Sequence, residues 1–342
     1  MTVVDPSEQS PGARAATRRE RVAGWRVGVL ASPAAPVYGA LIAIFIISWI
    51  VVTIDGGTYW TTANIVNILQ RSVALGIVAA GQTVVILLGS LDLSVAWLIS
   101  LSSLVLATTM DGQEANVTQA VLLVLVIGLA VGLVNGLIIT KLRVNAFIAT
   151  LGTALIIQGI IQNKYDGPAG SVPASFRDIG YTRFGLIPMS YFLLIIVVAV
   201  IWFLLRNTRF GYRIYAVGGS EDVSKLSGLR THRTIIAAHV VCSLTAVITG
   251  MFLAARLGAG TPTVGTDGGY DLESIAAVVL GGTALMGGRG SVLGTVGGVF
   301  ILAVLDNTFN QLEVNSFIKD VVRGVILIAA VAVYARRQEK KA

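Results

Sequence analysis

The stretch RNTRFGYRIYAVGGSEDVSKLSGLRTHR, residues 206–233, decides how this chain is read. It is a polar, basic interruption between two long apolar runs, and it carries six Lys/Arg: Arg206, Arg209, Arg213, Lys225, Arg230 and Arg233. The pattern predicts one short helix within it. Ser220 suits the N-cap, where its hydroxyl can accept from the unpaired amides of the first turn. Glu221 and Asp222 follow where the helix dipole favours anions. Val223, Leu226 and Leu229 recur at three-residue steps and form a small apolar stripe. Gly218 and Gly219 precede the cap, and Ser227-Gly228 closes the unit, Gly228 suiting the left-handed position after the last turn. A helix of about two turns is marginal alone in water, so it needs a surface to dock on. Taken alone, the segment also fits a solvated surface turn.

The composition around it excludes a soluble domain. The chain has 342 residues, 55% hydrophobic and 13% charged, with a mean hydropathy of +0.80. A soluble core would carry roughly twice that charged fraction. The 38 glycines fit polytopic helices whose backbones approach closely. Ten apolar segments are candidates to cross a membrane, which takes about 20 residues each. They are Pro36–Ile54, Ile65–Leu88, Leu93–Thr109, Val117–Thr140, Ala146–Gln162, Pro188–Leu205, Thr234–Ala255, Leu272–Met286, Val292–Gln311 and Phe317–Tyr334. The eighth is short and ends in glycine, as a tilted or partly re-entrant helix would. The fold class is therefore an all-α polytopic membrane protein, contacting membrane lipid over residues 36–335. Residues 1–35 form a basic tail expected to be disordered, and 336–342 a short basic tail. The first apolar run is long for a signal core and lacks a small-residue cleavage site after it.

Charge sets the orientation. With the N-terminus inside, 18 of the 25 Lys/Arg fall on the inner side, the positive-inside pattern. Both termini are then cytoplasmic, as is the 206–233 loop, whose short helix points to a soluble partner. The outer segments Asn163–Ile187 and Arg256–Asp271 are long enough to meet a partner outside. The net charge of +7 is spread among loops rather than gathered in a patch, which argues against nucleic acid. A weak internal symmetry is also present. Asp92-Leu93-Ser94 opens the third span and Asp271-Leu272-Glu273-Ser274 opens the eighth, as expected if spans two to five and seven to ten are inverted repeats.

Few residues offer chemistry. No phosphate-binding G-x-x-x-x-G-K-[ST] loop is present, and Gly287-Gly288-Arg289-Gly290 reads as a tight turn between two apolar helices. One cysteine, Cys242, and two histidines, His232 and His239, make neither a disulfide nor a metal site at a familiar spacing. Polar groups inside spans are costly, so Gln82 and Asn135 are notable, as is the fifth-span set Asn145, Phe147, Thr150, Thr153 and Gln158. Neutral hydrogen-bonding groups beside an aromatic ring suit a polyhydroxylated solute; the alternative is that they join helices. Asp92 and Asp306 fall near span ends, where capping or interfacial hydration accounts for them, so no carboxylate is expected at mid-depth.

Several blocks, in order over roughly residues 60–335, resemble the membrane permease subunits of the ribose/xylose-type ABC sugar importers. Gly89-Ser90-Leu91-Asp92-Leu93-Ser94-Val95 is similar to that family's Gly-Gly-Ile-Asp-Leu-Ser-Val block, with Ser90 in place of a glycine. Phe147-Ile148-Ala149-Thr150-Leu151-Gly152-Thr153 resembles its fifth-span block. Thr208-Arg209-Phe210-Gly211-Tyr212-Arg213, Ala216-Val217-Gly218-Gly219 and Leu226-Ser227-Gly228 resemble its cytoplasmic loop. Ile275 to Gly282, including Gly281-Gly282, and Gly287 to Ser291 resemble its late glycine-rich block. Ala96 and Ser220 replace the family's usual glycine and asparagine. The resemblance implies a pore-forming permease in a bacterial cytoplasmic membrane, built as a homodimer or paired with a related permease. It implies a cytoplasmic ATPase docked at residues 218–228, an extracytoplasmic sugar-binding protein, and a pentose or hexose as cargo. ATP and Mg would be used by the ATPase, with no cofactor or metal held by this chain, which is then no enzyme. Branched-chain amino acids or another small polar solute are the alternative cargo, and a stand-alone secondary carrier the alternative mechanism.

Overall fold

The computed structural model describes residues 35–315 except Leu186, and scattered residues between 317 and 328. The tail expected over residues 1–35, save its last residue, the C-terminal tail and most of the tenth span, Phe317–Tyr334, lie outside the described residues. Most of the described residues are helical. Among them, seven helices are long and apolar enough to cross a membrane: α1 (Ala35–Ile54), α2 (Thr62–Leu87), α4 (Val117–Lys141, with a 3-10 turn before it), α5 (Ala146–Lys164), α7 (Met189–Asn207), α10 (Thr231–Leu257) and α13 (Val292–Gln311). Two shorter helices occupy the third and eighth span positions, α3 (Val95–Met110) and α12 (Tyr270–Leu280). At 1.5 Å per residue the 11 residues of α12 rise only about 16 Å, half a bilayer core. The eighth segment therefore does not cross as a helix; residues 281–291 continue it as a glycine-rich turn.

Local chemistry starts these helices. Thr61 caps α2 by accepting from Asn64 N at 3.1 Å, and Ser291 caps α13 by accepting from Gly294 N at 3.1 Å. Asn145 caps α5, accepting from Phe147 N at 2.9 Å. The membrane solvent then decides the packing. Ile46, Val126 and Ile156 face outwards, while Ser72, Gln82, Ser102, Asn135 and Thr249 are buried. In lipid an apolar exterior costs nothing, and the interior is where polar groups find partners.

The centre is α2 packed on α10, both ringed by the remaining spans. Exchanging α2 with α10, α3 with α12 and α4 with α13 carries packed pairs onto packed pairs. The pair α10–α4 goes to α2–α13, α10–α3 to α2–α12, and α3–α4 to α12–α13. That is the packing an inverted repeat of spans two to five and seven to ten requires. Its last member, the tenth span, lies outside the described residues.

The two long segments expected outside, 163–187 and 256–271, form one cap. The first holds α6 (Ala174–Tyr181) and a two-stranded hairpin, β1 (Arg183–Phe184) and β2 (Ile187–Pro188). The second holds α11 (Val264–Asp267). Ala169 and Gly260 exchange backbone hydrogen bonds at 2.9 and 3.0 Å, and Val172 N donates to Gly258 O at 3.0 Å.

Candidate functional site

At one end of the bundle the 206–233 loop folds into two helices rather than the single one expected: α8 (Arg209–Gly219) and α9 (Glu221–Leu226). Thr208 starts α8, accepting from Phe210 N and Gly211 N at 3.2 and 3.4 Å. A Thr-x-x-Gly start without a capping-box acid was the missed signal. Ser220 caps α9, accepting from Val223 N at 3.3 Å, and Lys225 reaches back to Glu221 at 3.0 Å. Gly228 sits at φ +79° and ends the unit. Ser227 donates from its hydroxyl to Val223 O at 2.9 Å. Val223 is 61% and Leu226 90% exposed, so two residues of the α9 stripe have little cover among the described residues, while Leu229 is half-buried.

The other face of the loop is bolted to the transmembrane bundle. A Cβ on Gly218 would lie 1.8 Å from Leu87 O, the last residue of α2, and 2.7 Å from Gly288 N. Gly288 N donates to Leu87 O at 2.9 Å, and Tyr215 Oη donates to Gly290 O at 3.0 Å. Four of the glycines singled out in the sequence, Gly218, Gly219, Gly287 and Gly288, thus meet at the C-terminal end of α2. Gly281 lies against Gly294 at the start of α13, where a Cβ would be 2.5 Å from backbone, and Gly282 turns the chain at φ +84°.

Deeper in the bundle, the segment between α2 and α3 is irregular, with Ser90, Asp92 and Ser94 buried. Asp92 stands just ahead of α3 as expected, but the alternative of interfacial hydration is corrected, because the carboxylate is fully buried. Its Oδ1 accepts from Ser94 N at 3.0 Å and Ser94 Oγ at 2.5 Å. Its Oδ2 faces His239 Nδ1 of α10 at 3.2 Å and Asn135 Nδ2 of α4 at 3.4 Å. Ser90 Oγ meets His239 Nε2 at 3.0 Å. Residues from α4, α10 and the 88–94 turn therefore share one polar knot, which satisfies a charge that could not otherwise stay buried. His239, set aside in the sequence because no ligand partner stood near it, is its second centre. Only the fold brings a residue 147 positions away to Asp92.

The fifth-span residues divide. Thr153 Oγ1 donates to Asn135 Oδ1 at 2.6 Å, joining the knot. Thr150, fully buried, accepts from Leu93 N at 3.2 Å. Phe147 is 47% exposed on another face, Asn145 serves as the cap, and Gln158 is half-buried. Gln82 accepts from Cys242 Sγ at 3.3 Å, and its Nε2 has no hydrogen-bond partner among the described residues. Nothing draws these six side chains into one cavity.

A cavity of about 390 Å³ opens instead at the end of the bundle remote from α8 and α9. It lies between the first turns of α2, the last turns of α10 and α13, and the start of α12. Arg71 and Asp306 pair across it at 2.9 Å, and Asn310 Nδ2 donates to Asp306 Oδ2 at 3.2 Å.

Comparison with known proteins gives this architecture its place. Residues 64–331 match the family described as branched-chain amino acid transport system / permease component. The chain belongs to this permease family. It is 38% identical over 305 residues to the ribose import permease protein RbsC of Escherichia coli K12, covering 87% of this chain and 94% of that one. It is 36% identical over 298 residues to RbsC of Bacillus subtilis, covering 86% and 91%. To the galactose/methyl galactoside import permease protein MglC of E. coli K12 it is 33% identical over 324 residues, covering 88% and 96%. No solved structure matches it. As a permease the chain is a multi-pass membrane protein and a transport component, with ATP hydrolysed by a separate chain and a binding protein as a further partner.

Proposed function

We propose that this chain is the pore-forming subunit of an ATP-driven importer for a small neutral sugar of the pentose or hexose class. The observation that carries this is the α8–α9 unit. One face leaves Val223 and Leu226 uncovered, and the other is locked to the end of α2 and the 287–290 turn. A unit built in that way transmits force from a docked ATPase to the central helices. Two copies, or this chain with a related permease, would enclose the pathway, both termini would be cytoplasmic, and ATPase closure would rock the pore between outward- and inward-open states. The binding protein would meet the cap of α6 and residues 256–271. ATP and Mg remain with the ATPase.

The sugar assignment rests on relatives named for ribose and galactose. The family model is named for branched-chain amino acids, and that cargo is the second reading. A secondary carrier can no longer be argued against by the want of a buried carboxylate, since Asp92 is one; membership of the permease family argues against it instead. On α5, the hydroxyl of Thr150 is engaged with the 88–94 turn and that of Thr153 with Asn135 of α4. We assign that helix to holding the 88–94 turn rather than to contacting solute.

Leu226→Asp places a charge on the uncovered stripe and is expected to abolish co-purification of the ATPase while the permease still inserts in the membrane. Wild-type yield of ATPase with this variant overturns the docking assignment. For orientation, with Cys242 replaced, a cysteine at Gly167 is expected to react with an impermeant thiol reagent from outside and one at Ser220 is not. The reverse pattern inverts the topology.

A further inference from the structure

The cavity remote from the coupling end belongs to no residue singled out in the sequence as part of a solute path. Its size, about 390 Å³, lies in the range of small-molecule sites and exceeds what one monosaccharide fills. Asn67, Gln70 and Arg71 enter it from α2 on one side, and Asp306 and Phe309 from α13 on the other. Tyr270 and Glu273 of α12 line it as well. Towards the middle of the bundle it ends on Ala74, Leu75 and Leu302, and Ile77, Val78 and Ala79 behind them are fully buried. The cavity is thus open at the remote end and sealed towards the coupling end, the shape of a vestibule in an outward-facing state.

Its chemistry suits a solute rich in hydroxyls. Among the described lining residues two arginines face three carboxylates. Arg71 is already engaged with Asp306 at 2.9 Å, with side chains 48% and 23% exposed. A half-exposed ion pair is weak and exchanges partners easily. A hydroxyl can insert into such a pair, donating to the carboxylate and accepting from the guanidinium. The amides of Asn67 and Gln70 add donors and acceptors, and the rings of Tyr270 and Phe309 offer faces for the C–H surface of a sugar ring.

Resting on the sugar-importer reading above, we infer that this cavity is the first station of the cargo within the permease, and that Gln70, Arg71 and Asp306 bind its hydroxyls. The contacts hold sugar long enough to be enclosed and release it readily, as a conducting site must.

The test uses the complete importer, permease with its ATPase and binding protein, in proteoliposomes. Uptake of labelled D-ribose, D-galactose and L-leucine is measured beside ATP hydrolysis. Gln70→Leu and Asp306→Asn are each expected to lower the maximal sugar uptake about tenfold, the effect of losing one hydrogen bond to a charged or polar group. The half-saturating sugar concentration, set by the binding protein, and basal ATP hydrolysis are expected to stay unchanged. In a background without Cys242, a Gln70→Cys thiol is expected to react with an impermeant reagent and to be protected by the transported sugar. This readout holds even if the other variants fold poorly. Wild-type uptake by both pocket variants, or a Gln70→Cys thiol that sugar does not protect, overturns the inference while sugar uptake by the unmodified importer leaves the sugar-importer reading intact. Uptake of L-leucine and of neither sugar by the unmodified importer overturns the sugar reading itself.

Discussion

The two Asp-Leu starts of the matching halves look alike in sequence and differ in the fold. Asp92 lies in a buried turn ahead of α3, where Ser94, Asn135 and His239 surround its carboxylate. Asp271 is in the first turn of α12, half-exposed, and its Oδ1 accepts from Leu272 N at 2.9 Å. One motif thus holds three helices together, and the other only begins one. The seams differ as well. In the first half, small residues let α4 meet α10: a Cβ on Gly132 would be 2.5 Å from Val240 Cα, and one on Gly136 would be 2.6 Å from Ile236 Cα. In the second half they join α12 to α13 within the half, where a Cβ on Gly298 would be 2.0 Å from Ala277 O. Repeated topology therefore does not repeat the chemistry. The Asp92 motif ties its half to α10 of the other half through a polar knot, and the half containing Asp271 is closed within itself by backbone packing of α12 on α13.

This contrast can be broken in four places. Asp92→Ala leaves Ser94 N, Ser94 Oγ and His239 Nδ1 without their buried partner and is expected to cost about 3–5 kcal/mol, the scale for leaving several buried polar groups unpaired. Thermal unfolding of the purified permease in detergent checks it, and adding His239→Leu is expected to recover part of the loss. An Asp92→Ala protein as stable as wild type removes the knot from the account. Gly298→Val forces a side chain into the α12 backbone, with an expected cost of roughly 1–3 kcal/mol or more from overpacking. Unchanged melting would mean that α12 and α13 separate easily. Thr150→Val keeps the shape and removes the hydroxyl that accepts from Leu93 N. A net loss of about 0.5–1.5 kcal/mol is expected, with transport per folded molecule unchanged. A fall in transport without a fall in stability would return α5 to the solute path. Asp271→Asn keeps an acceptor for Leu272 N and is expected to shift stability by no more than roughly 0.5 kcal/mol, the scale of surface substitutions. A loss near that of Asp92→Ala would erase the distinction between the halves.

Much of the fold was legible because lipid imposes a simple rule. Apolar runs of about 20 residues mark spans whatever their neighbours are, and eight of the ten expected segments are helices near their expected bounds, while the eighth stops at Leu280, short of the expected Met286. Capping is legible because Ser220, Glu221 and Gly228 act close together in the chain, within about two turns. Helix α8 escaped because its start at Thr208 lacks the acidic residues that marked α9. The polar groups on α5 were visible, yet their direction was not. A helix with hydroxyls at 150 and 153 shows that they share a face, and only the neighbours decide whether that face meets solute or α4 and the 88–94 turn.

By itself the sequence determined the class of molecule, the polarity of its loops, the capped helix at 220–226 and the blocks it shares with importer permeases. These depend on residues close in the chain or on composition, which sidesteps three-dimensional packing. The tertiary structure alone decided that Asp92 and His239 are partners, that Gly218 touches the end of α2, and that Arg71 and Asp306 face one another across a cavity. Each of those joins residues more than a hundred positions apart. Their meeting is set by how helices of fixed length stack in a medium that rewards close backbones and satisfied polar groups.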